Sequence, residues 1–292
     1  MPTARIRGTR IHYRRVGRGE PVLLIHGLGS SGEDWELQVR ALARRFQVIV
    51  PDLRGSGRSG KPRGPYQIAD FALDNWALLR RLGIERAHLV GFSLGGAVAL
   101  EMALRRPEAA ARLVLINALP HYSDTWRKWV EAQLTTGMVR ILGFERTARM
   151  VARRMFPHPH QAALRERAHV VVGGQAPRPY LETVRALVAW HAVDRLDRLR
   201  CPTLIIAAEH DYTPLQEKRD IAARLGAEFA LIHGSRHGTP FDSVEAVNAC
   251  LLSFLGGKAL PPESKLRLDR PEVATTLVAQ ALVMGTGELA RG

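Results

Sequence analysis

A short turn between a predicted strand and a predicted helix places the strongest constraint on this chain. Residues 91–95 read Gly-Phe-Ser-Leu-Gly, with Ser93 at the centre. The apolar run at residues 86–90 is typical of a buried strand, and residues 97–104 have a helical pattern. A glycine two positions before and two positions after the serine lets backbone segments approach where a Cβ atom would clash. This strand–turn–helix pattern predicts that Ser93 is a catalytic nucleophile.

Strands and helices alternate on both sides of this turn. The apolar runs at residues 22–26 and 113–117 are typical of strands inside a parallel sheet. Amphipathic stretches follow several such runs, one of them at residues 68–82. A chain of 292 residues that is 46% apolar can bury one large core. We therefore predict an α/β fold with a mostly parallel sheet and helices on both faces.

The alternation stops between residues 119 and 198, where only helical patterns occur. Because this segment follows a sheet strand, we expect it to form a lid over a site at the strand ends. The predicted helices cover residues 125–134, 138–142, 145–156, 161–172 and 180–192. We expect most of the large apolar side chains of the lid to pack and a few to line a pocket. These side chains are Trp126, Trp129, Met138, Phe144, Met150, Met155, Phe156, Tyr180 and Trp190.

These patterns divide the chain into three parts. Residues 1–118 and 199–256 are predicted to form the core, and residues 119–198 the lid. After residue 256 the composition is looser, so residues 257–292 are predicted to be a tail without an assigned role. One more helix is expected in that tail, at residues 271–284.

Composition excludes several classes of function. The net charge is +14, but the arginines lie on separate elements rather than in a stripe with aromatic residues, so no nucleic-acid partner is expected. Cys201 and Cys250 form neither a disulfide framework nor a metal spacing, which favours a reducing compartment. Neither a leader pattern nor an apolar run of about 18 residues is present, so no membrane span is expected. We expect a cytoplasmic protein that acts on a small-molecule ester. The sequence leaves its oligomeric state open.

Three further patterns resemble functional motifs without meeting their requirements. The glycine-rich loop at residues 26–31 lacks the Gly-Lys-Ser/Thr ending of a phosphate-binding loop and the spacing of a dinucleotide fingerprint. Ser56 and Ser59 have no strand-to-helix turn around them and are interpreted as turn residues. His158 and His160 have no cluster of further ligands and indicate a surface turn. We therefore predict neither a cofactor nor a metal.

Residues 22–255 resemble the α/β-hydrolase fold superfamily. The resemblance is to its lidded, cofactor-independent branch of esterases, lactonases, carbon–carbon bond hydrolases and haloperoxidase-like proteins, and it implies an eight-stranded, mostly parallel sheet with an all-helical lid insertion. Ser56 stands where many relatives have histidine, and Arg236 stands where glycine commonly precedes the catalytic histidine. The motifs in the family's order are His26-Gly27, Asp52-Leu53-Arg54-Gly55, Ser93, Asp211 with Thr213-Pro214, and His237.

The residue types predict how the serine is activated. A serine hydroxyl needs an adjacent base, for which His237 is the candidate, and Asp211 would orient the imidazole. Among the rivals, His233 is expected to be held inside the sheet edge, and His210 to point away from Asp211. Asp211 is preferred over Glu209 as the acid because it lies past the end of the strand. In this fold the oxyanion donors are backbone N–H groups, which here would belong to Leu28 and Leu94.

The predicted reaction is hydrolysis of carboxylic esters with small to medium acyl chains through an acyl-enzyme. Two alternatives stay close to it, namely a hydrolase of carbon–carbon bonds in diketone-like ring-fission products and an enol-lactonase. Carbon–carbon hydrolases commonly have tryptophan after the catalytic histidine, where this chain has Gly238-Thr239. A lid arginine such as Arg153 or Arg154 could still bind the carboxylate of such a substrate. A non-catalytic ligand receptor on the same fold is a third alternative.

Overall fold

The computed structural model describes residues 2–122 and 143–269, which fold around one eight-stranded sheet. The strands are β1 (Thr3–Ile6), β2 (Thr9–Val16), β3 (Pro21–Ile25), β4 (Gln47–Pro51), β5 (Ala87–Phe92), β6 (Ala110–Ile116), β7 (Thr203–Ala208) and β8 (Glu228–Ile232). Their order across the sheet is β1-β2-β4-β3-β5-β6-β7-β8. The pairs β1–β2 and β2–β4 are antiparallel, and the other neighbours are parallel. The predicted α/β fold with a mostly parallel sheet of eight strands is therefore confirmed.

Helices follow most of the parallel strands. They are α1 (Glu36–Leu42), α2 (Ile68–Arg81), α3 (Leu94–Arg105), α4 (Phe144–Met155), α5 (Ala162–Gly173), α6 (Pro177–Val188), α7 (Leu215–Leu225), α8 (Thr239–Asp242) and α9 (Val244–Leu255). Short 3-10 helices cover Gly32–Trp35, Pro159–Gln161, Val193–Arg198 and Glu263–Lys265. In the part of the chain that the structure describes, no helix has both the length and the apolar character needed to cross a membrane.

The central strands are apolar throughout because both of their faces are covered. Along β3, Leu23 and Ile25 pack with α2 and α3, whereas Val22 and Leu24 pack with α1 and α9. All four side chains are fully buried. Successive side chains of a strand point to opposite faces of the sheet, so a continuous apolar run is required wherever helices cover both faces.

The helices α4, α5 and α6 lie between β6 and β7, where the lid was predicted. A bridge between His121 and His191 and a hydrogen bond of 2.7 Å from the Ala192 N–H to the Pro120 carbonyl join the two ends of this insertion. The helices predicted at residues 125–134 and 138–142 lie outside the described residues. The same is true of Trp126, Trp129 and Met138. The division into core, lid and tail stays a prediction.

The described part of the tail returns to the edge of the sheet. The His233 N–H donates to the Leu266 carbonyl at 2.9 Å, and the Leu268 N–H donates to the His233 carbonyl at 2.8 Å. The Asp269 carboxylate then accepts the Val244 N–H at 2.6 Å, at the first residue of α9. The described part of the tail, up to residue 269, is therefore hydrogen-bonded to the end of β8 and to the start of α9. The helix predicted at residues 271–284 lies outside the described residues.

The first turn of α3 makes a very close contact with the neighbouring strands. Gly91 of β5 lies opposite Ile25 of β3 in the parallel register. A Cβ atom on Gly91 would lie 2.1 Å from the Gly95 carbonyl oxygen, and one on Gly95 would lie 2.0 Å from the Ile25 carbonyl oxygen. Both obstacles are backbone atoms, which cannot rotate away. The two glycines are therefore required for α3 to begin immediately after β5.

Substitution of Gly95 by alanine should destabilise the fold by about 2 kcal/mol or more, because the added methyl overpacks a backbone contact. Gly173→Ala is the matched control, since the nearest atom to its added Cβ would be Ala148 Cβ at 3.9 Å. That substitution should be neutral or stabilising by up to about 1 kcal/mol, because alanine is the better helix former. Urea unfolding of both variants measures the difference. Equal stabilities would contradict the steric role of Gly95.

Candidate active site

Ser93 lies on the turn between β5 and α3 in a backbone conformation that few side chains adopt. Its φ is 53° and its ψ is −116°. Such dihedral angles store strain and persist only where the surrounding structure enforces them. The Ser93 N–H donates to the Ile116 carbonyl of β6 at 2.9 Å, which ties the turn to the sheet. The conformation presents the hydroxyl at the carboxyl ends of the parallel strands.

The structure brings His237 and Asp211 to this hydroxyl from two distant parts of the chain. His237 Nε2 lies 3.0 Å from Ser93 Oγ, and His237 Nδ1 lies 2.7 Å from Asp211 Oδ1. With the carboxylate ionised, Nδ1 carries the ring proton and donates it, which leaves Nε2 free to accept from the serine. The side chains of His237 and Asp211 are 6% and 1% exposed. The three groups form a continuous, buried hydrogen-bond chain.

The Asp211 carboxylate is also bound on its other side. Asp211 Oδ2 accepts hydrogen bonds from the hydroxyl of Thr213 and the ammonium of Lys218. Burial would raise the pKa of Asp211, but the neighbouring His237 and Lys218 outweigh burial and hold that pKa well below its usual range. Asp211 is therefore ionised at neutral pH.

The other residues considered as base or acid lie apart from the Ser93–His237–Asp211 hydrogen-bond chain. His233 is not held inside the sheet edge, as was expected, because its side chain is 40% exposed and binds the carboxylates of Glu209 and Glu263. The Glu209 carboxylate accepts the Gly234 N–H at 2.9 Å and pairs with His233, whereas the carboxylate that pairs with His237 is that of Asp211. The His210 side chain is 54% exposed, and its Nε2 lies 3.6 Å from the Glu209 carboxylate. The prediction for His233 failed because the tail, which supplies Glu263, passes beside it at the surface.

A buried polar network fixes the loop that carries His237. Asn117, at the end of β6, donates from Nδ2 to the His237 carbonyl at 3.0 Å and to Thr239 Oγ1 at 2.7 Å. Ser235 donates to Asp242 Oδ1 at 2.8 Å and contacts Thr239 Oγ1 at 3.0 Å. Sequence reasoning missed this network, since single polar residues after a strand have no spacing that marks them. The only signal was the position of Asn117 at a strand end.

The predicted oxyanion donors flank Ser93. Leu94 is the first residue of α3, and Leu28 lies in the loop after β3; Leu28 and Ser93 line the same cavity. Among residues 2–122 and 143–269, neither backbone N–H finds a hydrogen-bond acceptor. The loop is held by buried His26, whose Nδ1 donates to the Gly27 carbonyl at 2.8 Å while its Nε2 accepts the Leu53 N–H at 3.0 Å. Burial lowers the pKa of His26, so it stays neutral and can make both bonds.

Ser93 and His237 open into a cavity of about 360 Å³ that is also lined by residues of α4, α5 and α6. Met155, Phe156 and Tyr180, three of the side chains expected to pack or line a pocket, are part of its wall. Trp190 instead packs in the core, where its indole N–H donates to Glu101 at 3.0 Å. The remaining wall is mostly apolar and includes Leu28, Phe92, Leu119, Val151, Leu164, Ala168, Val171, Val172, Val184, Leu187, Val188 and Phe241.

Two arginines, one on α4 and one on α5, also line the cavity. Arg167 pairs with Asp34 at 3.0 Å. The guanidinium of Arg154 lies 4.9 Å from the centre of the Tyr212 ring, which in turn stacks 4.1 Å from the His237 ring. Arg153 does not line the cavity. Within the described ranges, no group of three or more His, Cys, Asp or Glu side chains could hold a metal ion.

Comparison with known proteins agrees with this geometry. A family described as the α/β hydrolase fold matches residues 20–243. The chain belongs to this family. It is therefore a hydrolase, with Ser93 at the turn where the fold carries its nucleophile.

Three relatives are similar to this chain over most of their length. The putative carbamate hydrolase RutD of Caulobacter sp. (strain K31) is 32% identical over 263 residues, which is 85% of this chain and 95% of the relative. The enol-lactonase from Burkholderia xenovorans LB400 superposes with a TM-score of 0.81 at 26% identity, covering 87% of this chain and all of that one. A thermophilic esterase from Thermogutta terrifontis also superposes with a TM-score of 0.81, at 25% identity, covering 88% of this chain and 99% of the esterase.

Replacement of Ser93 by alanine should abolish hydrolysis while leaving the fold intact. A lost nucleophile in such enzymes costs about 10⁶ in turnover, and alanine removes only the hydroxyl from the turn. Steady-state assays on purified variant with an unchanged circular dichroism spectrum measure this effect. Turnover within tenfold of the wild type would rule out Ser93 as the nucleophile.

His237→Ala and His233→Ala form a matched pair of histidine substitutions in one loop. His237→Ala should reduce turnover nearly as much as loss of the serine, since the base is gone. His233→Ala should leave turnover within about twofold and stability within about 1 kcal/mol, because its ion pairs are exposed to solvent. Turnover and urea unfolding are measured for both. An inactive but stable His233→Ala variant would mean that the base has been assigned to the wrong residue.

Proposed function

We propose that the chain is a serine hydrolase that cleaves carboxylic esters of small to medium acyl chains. The observation that carries the proposal is the Ser93–His237–Asp211 hydrogen-bond chain, with contacts of 3.0 and 2.7 Å, opening into an apolar cavity. A serine, a base that faces it and a carboxylate behind the base are the requirements for nucleophilic acyl transfer.

Each residue has one role in the proposed reaction. Ser93 Oγ attacks the ester carbonyl while His237 Nε2 takes the hydroxyl proton. The backbone N–H groups of Leu28 and Leu94 stabilise the oxyanion, for which one donor contributes about 10²–10³ in turnover. His237 then gives the proton to the leaving alcohol, and the acyl-enzyme forms. Water repeats the sequence with His237 as base and releases the acid, while Asp211 stabilises the imidazolium in both halves.

The cavity supports the limit on chain length. Its volume of about 360 Å³ is at the lower end of the range of about 300–1,000 Å³ typical of ligand pockets. Each methylene that fits against the apolar wall contributes about 0.8 kcal/mol, or about fourfold in kcat/KM. Chains too long for the cavity would have to displace α5 or α6. Short and medium acyl groups therefore fit best.

Hydrolysis of a carbamate is the second candidate, favoured by the similarity to the putative carbamate hydrolase RutD. A carbamate carbonyl has the same geometry as an ester carbonyl, so Ser93 and His237 would serve it in the same roles. An enol-lactone is a cyclic ester, and its hydrolysis uses the proposed mechanism without change. The difference lies in the leaving group, which for a carbamate can be an amine that His237 must protonate.

Carbon–carbon bond hydrolysis is the remaining alternative. Arg154 lines the cavity and could bind the carboxylate of a ring-fission product. Against this, Gly238-Thr239 follow His237 where such enzymes commonly have tryptophan. The Thr239 hydroxyl is committed to Asn117 and the Arg236 carbonyl rather than to the cavity. We therefore place this activity below ester and carbamate hydrolysis.

A panel of p-nitrophenyl esters from acetate to palmitate tests the proposal. We expect kcat/KM to rise over the first added methylenes and to fall steeply for the long chains, since those exceed the cavity. The same assays include a p-nitrophenyl carbamate and a vinylogous diketone acid. Turnover of the diketone with negligible ester turnover would establish carbon–carbon hydrolysis instead. A wild-type protein that no fluorophosphonate labels would favour the non-catalytic receptor.

Two substitutions on α5 locate the acyl chain. Ala168→Leu fills part of the cavity wall and should move the preferred chain length down by two or three carbons. Ala163→Leu is the control, because Ala163 is exposed on the same helix and lies outside the cavity wall. It should leave the preference unchanged. An identical chain-length profile in both variants would place the acyl group elsewhere.

A further inference from the structure

A lysine is completely buried behind the proposed catalytic acid. Lys218 is on the first turn of α7, and its side chain is 0% exposed. Lysine is almost never fully buried without a partner, because its ammonium loses its water of hydration. The partner here is the Asp211 carboxylate. The proposed mechanism gives this lysine no role, so its position needs a separate explanation.

The carboxylate of Asp211 binds two basic side chains, His237 through one oxygen and Lys218 through the other. Oδ1 accepts the proton of His237 Nδ1 at 2.7 Å, whereas Oδ2 accepts from Lys218 Nζ and from the Thr213 hydroxyl. When His237 takes the serine proton, one negative charge then faces two positive charges. Thr213 donates to the same oxygen but carries no charge. Lys218 is therefore the group that decides how much negative charge His237 experiences.

The other charged and titratable groups around this pair do not replace Lys218. Glu217 lies next to it on α7 and pairs with His121. Tyr122 lies near Asp211, and burial raises its pKa, so it is neutral at neutral pH. Tyr212 also lies near Asp211 but is 50% exposed, and a phenol is neutral at that pH without any help from burial. The remaining groups are on the loops and on the lid. They are Arg154 over Tyr212, Arg236 beside His237 in the loop, and the exposed trio of Glu209, His210 and His233.

We propose that Lys218 is a positioning residue that anchors the Asp211 carboxylate and, through its charge, sets the lower pH limit of nucleophile activation at Ser93. The inference rests on the proposed serine mechanism. The lysine ammonium and the positive charge that forms on His237 face each other across the Asp211 carboxylate, and like charges repel, so the ammonium opposes that charge. Loss of the ammonium should therefore move the acid limb of activity to higher pH.

The anchoring part follows from geometry. With Oδ2 tied to Lys218 and Thr213, the carboxylate cannot rotate about its Cβ–Cγ bond, and Oδ1 stays aimed at His237. A buried ion pair by itself is weak evidence for stability, because an apolar pair of similar volume is often as stable. The charge of Lys218 is therefore expected to affect the activation of Ser93 by His237 more than the stability of the fold.

The experiment measures the rate constant of fluorophosphonate labelling at Ser93 from pH 4 to pH 9. This readout needs no substrate and reports activation of the serine directly. Lys218→Met removes the charge and keeps the length, Lys218→Gln removes the charge and keeps a donor for Asp211, and Lys218→Arg keeps the charge. Arg219→Met, on the next residue of α7, is the control for the loss of one positive charge. Circular dichroism and urea unfolding establish which variants fold.

We expect the midpoint of the acid limb to rise by about 1 pH unit in Lys218→Met and Lys218→Gln. Lys218→Arg and Arg219→Met should keep the wild-type midpoint. If Lys218→Met fails to fold, Lys218→Gln decides, because its amide still binds Asp211. An unshifted midpoint in a folded neutral variant, or an equal shift in Arg219→Met, would overturn the inference. A wild-type protein that is not labelled at any pH would instead overturn the proposed function.

Discussion

The contact between the first turn of α3 and the ends of β3 and β5 is the constraint on which the rest of the site depends. Gly95 lies so close to the Ile25 carbonyl that no side chain fits, and this proximity holds Ser93 at a φ of 53°. The strained turn directs the serine hydroxyl out of the sheet and places the Leu94 N–H beside it. The end of β5, the Ser93 hydroxyl and the Leu94 N–H are thus positioned by one backbone contact rather than by separate interactions.

Asp211 and His237 are positioned by a second principle, the satisfaction of buried polar groups. Asn117 at the end of β6 donates to the backbone of the loop that carries His237. The Ala208 N–H of β7 in turn donates to the side-chain oxygen of Asn117 at 2.8 Å. Because a buried polar atom without a partner is costly, these bonds leave the loop one stable arrangement. The ionised Asp211 is held in the same way by His237, Thr213 and Lys218.

Much of the fold and part of the site follow from local patterns in the chain. A short apolar run such as that of β3 is typical of a strand covered on both faces, and glycines two residues on either side of Ser93 predict its turn. The resemblance to the α/β-hydrolase fold, in which the serine is followed by an acid and then a histidine, added Asp211 and His237 as candidates. Lys218 could not be found in this way, since a lysine in an amphipathic helix is normally exposed. His233 was misplaced because its exposure depends on the tail, which is distant in sequence.

The sequence by itself determined where the main strands and helices and the Ser93 turn form, because these depend on the periodicity of apolar residues and on steric limits within a few positions. His237 and Asp211 were candidates from the sequence and its family resemblance, but only the tertiary structure decided that these two residues, rather than His233 and Glu209, meet Ser93, and which side chains of α4, α5 and α6 line the cavity. Those choices depend on contacts between residues that are up to 144 positions apart, as in His237 and Ser93. Burial, hydrogen-bond partners and charge at such contacts exist only after the strands have been brought together.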